Sequence, residues 1–126
     1  MKHLLLFLLV TTSLLLPLSA FALEVSEGAI TTQVVERAPV DAISSIPATT
    51  GKLYCFTRIT GGSNDKVVHV WRYEGTEMAR VELSVRSANW RTWSSKTILP
   101  EWKGAWSVDV LDTSGAKLTT IPFTLL

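Results

Sequence analysis

The chain has 126 residues, with 12 lysines and arginines against 11 aspartates and glutamates, 5 tryptophans, 2 histidines and 1 cysteine. A chain of this size holds one hydrophobic core and no second. So small a basic excess leaves no footprint for a phosphate backbone, which argues against nucleic acid as a partner.

The chain opens MKHLLLFLLVTTSLLLPLSAFA. Lys2 and the start amine make a short positive region, Leu4 to Leu16 an apolar stretch, and Pro17 breaks any helix. Ala20-Phe21-Ala22 is a small-x-small cleavage signal, so residues 1–22 read as a signal peptide cut after Ala22. The alternative is an uncleaved anchor, because Leu4 to Leu23 approaches a membrane-spanning length, although Thr11, Thr12, Ser13 and Pro17 dilute it. The expected location is outside the cytoplasm: periplasmic first, secreted or N-terminally anchored as alternatives, with no stable membrane span after cleavage. Without Lys2 the basic and acidic residues balance.

Residues 23–51 read as an N-terminal strand and an irregular lead-in. Glu24 to Gly28 is expected to fray. Ala29 to Arg37 is β-branched enough for a first strand, and APVDAISSIPATTG (38–51) is a long connection. Residues 52–126 form the main domain. Leu53 to Ile59 is apolar on both faces and so predicts a strand covered at least in part on both sides. Gly61 to Asp65 turns the chain into the strand Lys66–Tyr73, and Glu74-Gly75-Thr76 turns it again. In Met78 to Val85, Ala79, Val81, Leu83 and Val85 point to the core, and Met78, Arg80, Glu82 and Ser84 to water. Trp90 to Thr97 is the next strand and Leu99 to Gly104 a corner. Ala105 to Leu111 has Trp106, Val108 and Val110 inward, and Asp112 to Gly115 is a hairpin loop. Lys117 to Leu125 closes the domain, with Pro122 marking an edge strand or a bulge. About seven short strands with regular turns predict an all-β, antiparallel, immunoglobulin-like β-sandwich. Cys55 and Trp71 fall where the second and third strands of such a core carry a cysteine and a tryptophan. Val108 and Val110 stand where the partner cysteine would be, so packing alone must join the sheets.

Four stretches in order, LYCFTRITGG, VVHVWRYEG, WRTWSSKTILPEWKGAW and VDVLDTSGAKL, resemble the bacterial exported domain-of-unknown-function family 2914. The resemblance covers Leu53 to about Leu125. It implies a compact exported domain and transfers no catalytic residue, ligand or mechanism.

The chemistry points away from catalysis. One histidine, His69, lies mid-strand in the part after the leader. Cys55 sits in the apolar stretch LYCFTRI, where a free cysteine is a small buried hydrophobe; a bridge between two chains is the alternative. A Cys55–His69 nucleophile and base would need Cys55 exposed. Glu74, Glu77, Glu82 and Glu101 are scattered and single out no hydrolytic pair. No hydrolase, zinc or phosphate-loop motif occurs, so no metal and no cofactor is expected.

The best candidate is WRTWSSK, residues 90–96. Alternation sets Trp90, Thr92, Ser94 and Lys96 on one face and Arg91, Trp93 and Ser95 on the other, so one tryptophan belongs to the core and the other to the surface. The candidate binding residues are Trp90, Arg91, Trp93, Lys96 and Trp102, an aromatic and cationic set suited to gripping a partner or stacking on a sugar. The bland alternative is a scaffold strand in which Arg91 covers Trp93 and Trp102 plugs one end. The expected function is a non-catalytic exported binding or protein-interaction domain. A carbohydrate- or peptidoglycan-binding module using exposed aromatic residues is the alternative, so the partner is a protein or an envelope glycan.

Overall fold

A computed structural model describes residues 22–126. The positive region, the apolar stretch and all of the cleavage signal except Ala22 lie outside the described residues. The elements are β1 (Glu24–Thr31), β2 (Val34–Val35), β3 (Ala38–Pro39), β4 (Ser45–Ile46), a 3-10 turn (Ala48–Thr50), β5 (Lys52–Thr60), β6 (Asp65–Tyr73), β7 (Thr76–Val85), β8 (Asn89–Thr97), β9 (Gly104–Leu111) and β10 (Lys117–Leu125).

Seven of these strands are long, and they form two sheets. One has the order β1-β5-β8; the other has the order β4-β10-β9-β6-β7. All pairings between long strands are antiparallel. The first, second and fifth long strands make one layer, and the third, fourth, sixth and seventh make the other. This is the immunoglobulin-like arrangement, with the fourth strand hydrogen-bonded to the third.

The N-terminal segment differs from its sequence reading. Glu24 to Gly28, expected to fray, lies in β1 and pairs with β5 from Glu24 opposite Thr60 to Thr31 opposite Tyr54. Buried Leu23, Ala29 and Ile30 anchor it. The expected strand Ala29–Arg37 ends at Thr31, and the chain then forms the β2–β3 hairpin. The Asp41 carboxylate ties the base of that hairpin. It accepts from Thr31 Oγ1 at 2.6 Å, Thr32 N at 2.9 Å and Thr32 Oγ1 at 2.7 Å. The hydrogen bond from Thr31 leads the effects that hold Asp41 below the usual carboxylate range.

Met78 also departs from the alternation. Trp71 pairs with Ala79 and Arg72 with Glu77, so Met78 is an extra residue in β7. Such a bulge resets the pleat, and Met78 packs on the core beside Ala79. Pro122 lies exposed in β10, opposite Ser107 of β9, beyond the short stretch where β4 covers the strand's other side. The edge reading of Pro122 therefore holds, and the bulge of β10 falls at Lys117–Thr119 instead.

Between the layers lie two apolar clusters. The larger contains Ile30, Leu53, Cys55, Trp71, Trp106, Val108 and Phe123. The smaller contains Leu23, Ile59, Val67, Val85 and Val110. Trp106 stands 5.9 Å from Phe123, and Phe123 stands edge-on to Trp71 at 6.2 Å. Burying one such aromatic contributes about 5 kcal/mol of transfer free energy before ordering costs. Cys55 on β5 and Trp71 on β6 belong to one buried cluster between the layers, with Val108 and Val110 fully buried on β9. A packed aromatic core occupies the place of a disulfide.

Candidate functional site

Strand β8 carries the candidate residues. Among the described residues it pairs only with β5, from Lys52 opposite Thr97 to Thr60 opposite Asn89, so its other side is an open edge there. Thr92 and Ser94 are buried and Arg91, Trp93 and Ser95 lie on the opposite face, as alternation requires. The two tryptophans do separate. Trp90 packs on the smaller apolar cluster, and Trp93 stacks on Phe56 of β5 with centroids 6.5 Å apart. Both remain half-buried.

The inward face of β8 completes a polar layer between the two apolar clusters. His69 Nε2 lies 3.1 Å from Thr57 Oγ1, and His69 Nδ1 lies 2.7 Å from Ser94 Oγ. Thr57 Oγ1 donates to Thr92 O at 2.9 Å, and Trp71 Nε1 donates to Ser94 Oγ at 3.1 Å. One proton arrangement satisfies every group. The Thr57 hydroxyl hydrogen is spent on Thr92 O, so Thr57 Oγ1 accepts from His69 Nε2–H. Nδ1 is then the acceptor, and Ser94 donates to it while accepting from Trp71. The chain of bonds runs from Trp71 through Ser94, His69 and Thr57 to Thr92 and joins β6 of one sheet to β5 and β8 of the other. Burial lowers the His69 pKa to about 4, so the ring is neutral.

Cys55 and His69 do not form an open pair. Both are fully buried, the two ring nitrogens are held by Ser94 and Thr57, and burial pushes the Cys55 thiol up. A thiolate is the nucleophilic form, and this environment opposes it.

The outer end of β8 is different. A cleft there is lined by Arg37, Arg86, Trp90, Arg91 and Trp93, with Ser84 and Thr92 completing it and no carboxylate among its lining residues. The Arg37 guanidinium lies 5.1 Å over the Trp90 ring, and Arg91 Nη1 donates to Arg37 O at 3.2 Å. Arg37 reaches this position because Glu36 and Arg37 form the two-residue turn of the β2–β3 hairpin, with φ of 51° and 61°. Two positive φ values are the signature of the type I′ turn, although neither residue is a glycine or asparagine. Arg58 stands directly opposite Arg91 on β5. Like charges facing across a ladder repel, and Arg58 has only Glu27 at 3.7 Å. None of Arg37, Arg86 and Arg91 takes part in an ion pair among the described residues.

Lys96 and Trp102 belong elsewhere. Lys96 lies six positions beyond Trp90 along the strand, about 20 Å at 3.3 Å per residue. Lys96 Nζ sits 4.9 Å over the Trp102 ring. Trp102 in turn leans on Trp106 at 5.9 Å, and its carbonyl accepts from Trp106 Nε1 at 2.9 Å. Gly104 closes this corner with φ of 125°, where a side chain would run into the Glu74 carboxylate. Trp102 is thus the half-buried outer end of the core aromatics. The structure brings Trp90, Arg91 and Trp93 together, adds Arg37 and Arg86, and leaves Lys96 and Trp102 apart.

Fold and edge together define a small immunoglobulin-like sandwich with a cationic, aromatic cleft at one end of an open strand. Residues 64–125 match the family model described as a protein of unknown function, DUF2914. The stretch LYCFTRITGG precedes the matched residues, so the match is shorter than the four stretches suggested. Arg86, Trp90, Arg91 and Trp93 lie inside it, whereas Arg37 comes from the preceding hairpin. No curated protein matches the chain.

Proposed function

We propose that this is a non-catalytic exported domain, periplasmic in the first instance, that binds a protein partner through the cleft at the outer end of β8. The observation that carries the reading is the gathering of Arg37, Arg86 and Arg91 around Trp90 and Trp93 without a carboxylate among the lining residues. Arginine and tryptophan supply a large share of binding energy at protein interfaces. Export rests on the leader pattern, and the non-catalytic reading on the burial of Cys55 and His69. The glycan reading has less support, because Arg37 already covers Trp90 and Phe56 already takes a stacking face of Trp93.

The test is affinity capture from envelope extracts with the native protein and with an R86A/R91A variant, both checked for folding. The expected result is one or more proteins retained by the native domain and lost with the variant. Identical recoveries would reject the reading.

A further inference from the structure

We propose that the cleft's ligand is an acidic, extended peptide segment that lies along the open edge of β8 and sets its carboxylates on Arg37, Arg86 and Arg91. This rests on the binding role proposed above and names the chemistry of the partner.

Three observations converge on it. The first is charge. Three guanidinium groups line one cleft whose remaining members are two tryptophans and two hydroxyl residues. Arg58 adds a fourth positive charge opposite Arg91, relieved only by Glu27 at 3.7 Å. Glu36, beside Arg37 in the turn, makes no ion pair among the described residues. A site that gathers like charges is complementary to an anion, and the planar fork of arginine fits a carboxylate with two parallel hydrogen bonds.

The second is the edge. Among the described residues strand β8 has β5 on one side and no hydrogen-bonded strand on the other. Its free backbone groups are those an extended segment pairs with when it adds to a sheet. In such a segment every second side chain faces the same way, so alternate acidic residues would fall about 6.6 Å apart along the strand. Only an extended peptide uses both the open backbone and the arginines.

The third is the state of the aromatic rings. Trp90 lies under Arg37, and Trp93 lies against Phe56. Their contribution is to shield the carboxylate–guanidinium contacts from water once a peptide is seated, which strengthens charge-assisted hydrogen bonds there. This favours a charged chain over a flat sugar ring that needs a bare platform.

The experiment is fluorescence anisotropy with a labelled alternating Glu-Thr peptide long enough to span β8, its Gln-Thr counterpart and polygalacturonate as an acidic polymer without a peptide backbone. The Glu-Thr peptide is expected to bind, to weaken as salt rises, and to bind at least about tenfold better than the Gln-Thr peptide. R86Q/R91Q should lose about tenfold or more, and R86K/R91K should fall between, because lysine keeps the charge and lacks the fork. Thermal melts of both variants confirm folding. Equal affinity for the Glu-Thr and Gln-Thr peptides removes the role of charge and overturns the proposal. Equal affinity for polygalacturonate and the Glu-Thr peptide removes the role of the edge and overturns it too. If envelope capture still depends on Arg86 and Arg91 while the Glu-Thr peptide fails to bind, the acidic-peptide inference falls alone; if both fail, both readings fall.

Discussion

Ser94 and Arg91 stand three residues apart on β8, and their polar groups meet opposite treatment. Ser94 is buried and takes part in two hydrogen bonds, one from Trp71 and one to His69. Arg91 lies at the open end, faces Arg58 across the ladder and finds only a backbone carbonyl from the hairpin turn. In the polar layer around His69 every donor has an acceptor, because an unpaired group there has no water to turn to. At the cleft the guanidinium groups stay hydrated and gather without a counter-charge. The lesson is that one strand can be closed chemistry on its inward face and open chemistry on its outward face, because the pleat turns Ser94 towards the second sheet and Arg91 away from it.

Breaking the closed part should have the largest effect. Ser94→Ala leaves Trp71 Nε1 and His69 Nδ1 without partners and is expected to cost about 4 kcal/mol in urea-unfolding experiments, at about 1–3 kcal/mol for each stranded group. Anisotropy with the acidic peptide should be unchanged wherever the variant is folded.

Acid should act on the same layer. The folded His69 pKa is about 4, against an ordinary value of 6.5, because burial disfavours the charged ring. The unfolded chain therefore takes up the proton first as pH falls. The stability associated with neutral His69 is fully present above pH 6.5 and is lost as pH falls towards 4, by about 3 kcal/mol in all. Asp41 and Asp109 titrate lower, below 3.8, so their losses come at more acidic pH. Urea midpoints measured across this range should slope in the native protein, and His69→Gln should flatten the slope between the two values.

Trp102 tests the other end of β8. Trp102→Ala removes a half-buried ring from Trp106 and Lys96 and should cost about 2 kcal/mol, roughly half the loss of a fully buried tryptophan. Peptide binding should not change, since Trp102 lies outside the cleft. The smallest effect on stability belongs to the open region. Arg86→Ala and Arg91→Ala should each move the unfolding free energy by no more than about 0.5 kcal/mol, because neither holds an ion pair among the described residues. A loss above 2 kcal/mol would make these arginines structural and blur the contrast between the two regions.

Much of the sandwich could be read from pattern. The alternation of Trp106, Val108 and Val110 put those side chains inward, and the turn clusters marked the corners. The same alternation sets Thr92 and Ser94 on the face of Trp90, yet it carries no sign of their meeting with His69. Mid-strand His69 between valines was the available signal, because a buried imidazole needs hydroxyl or carbonyl partners. Met78 misled because a bulge leaves no mark in a run of alternating residues. Arg37 could not be read at all. It lies 54 positions from Arg91, in a segment that resembles a connection, and neither propensity nor periodicity links residues so far apart.

By itself the sequence determined the strands, their faces, the missing cross-sheet disulfide and the separation of Trp90 from Trp93, since each follows from neighbours within a few positions along the chain. Tertiary structure alone decided that the core is divided by a satisfied polar layer, that Lys96 and Trp102 stand apart from the cleft, and that Arg37 and Arg86 join it. Hydrogen bonding and charge act through space, so which side chains share an environment is settled when the sheets stack and the hairpin turn arrives against β8.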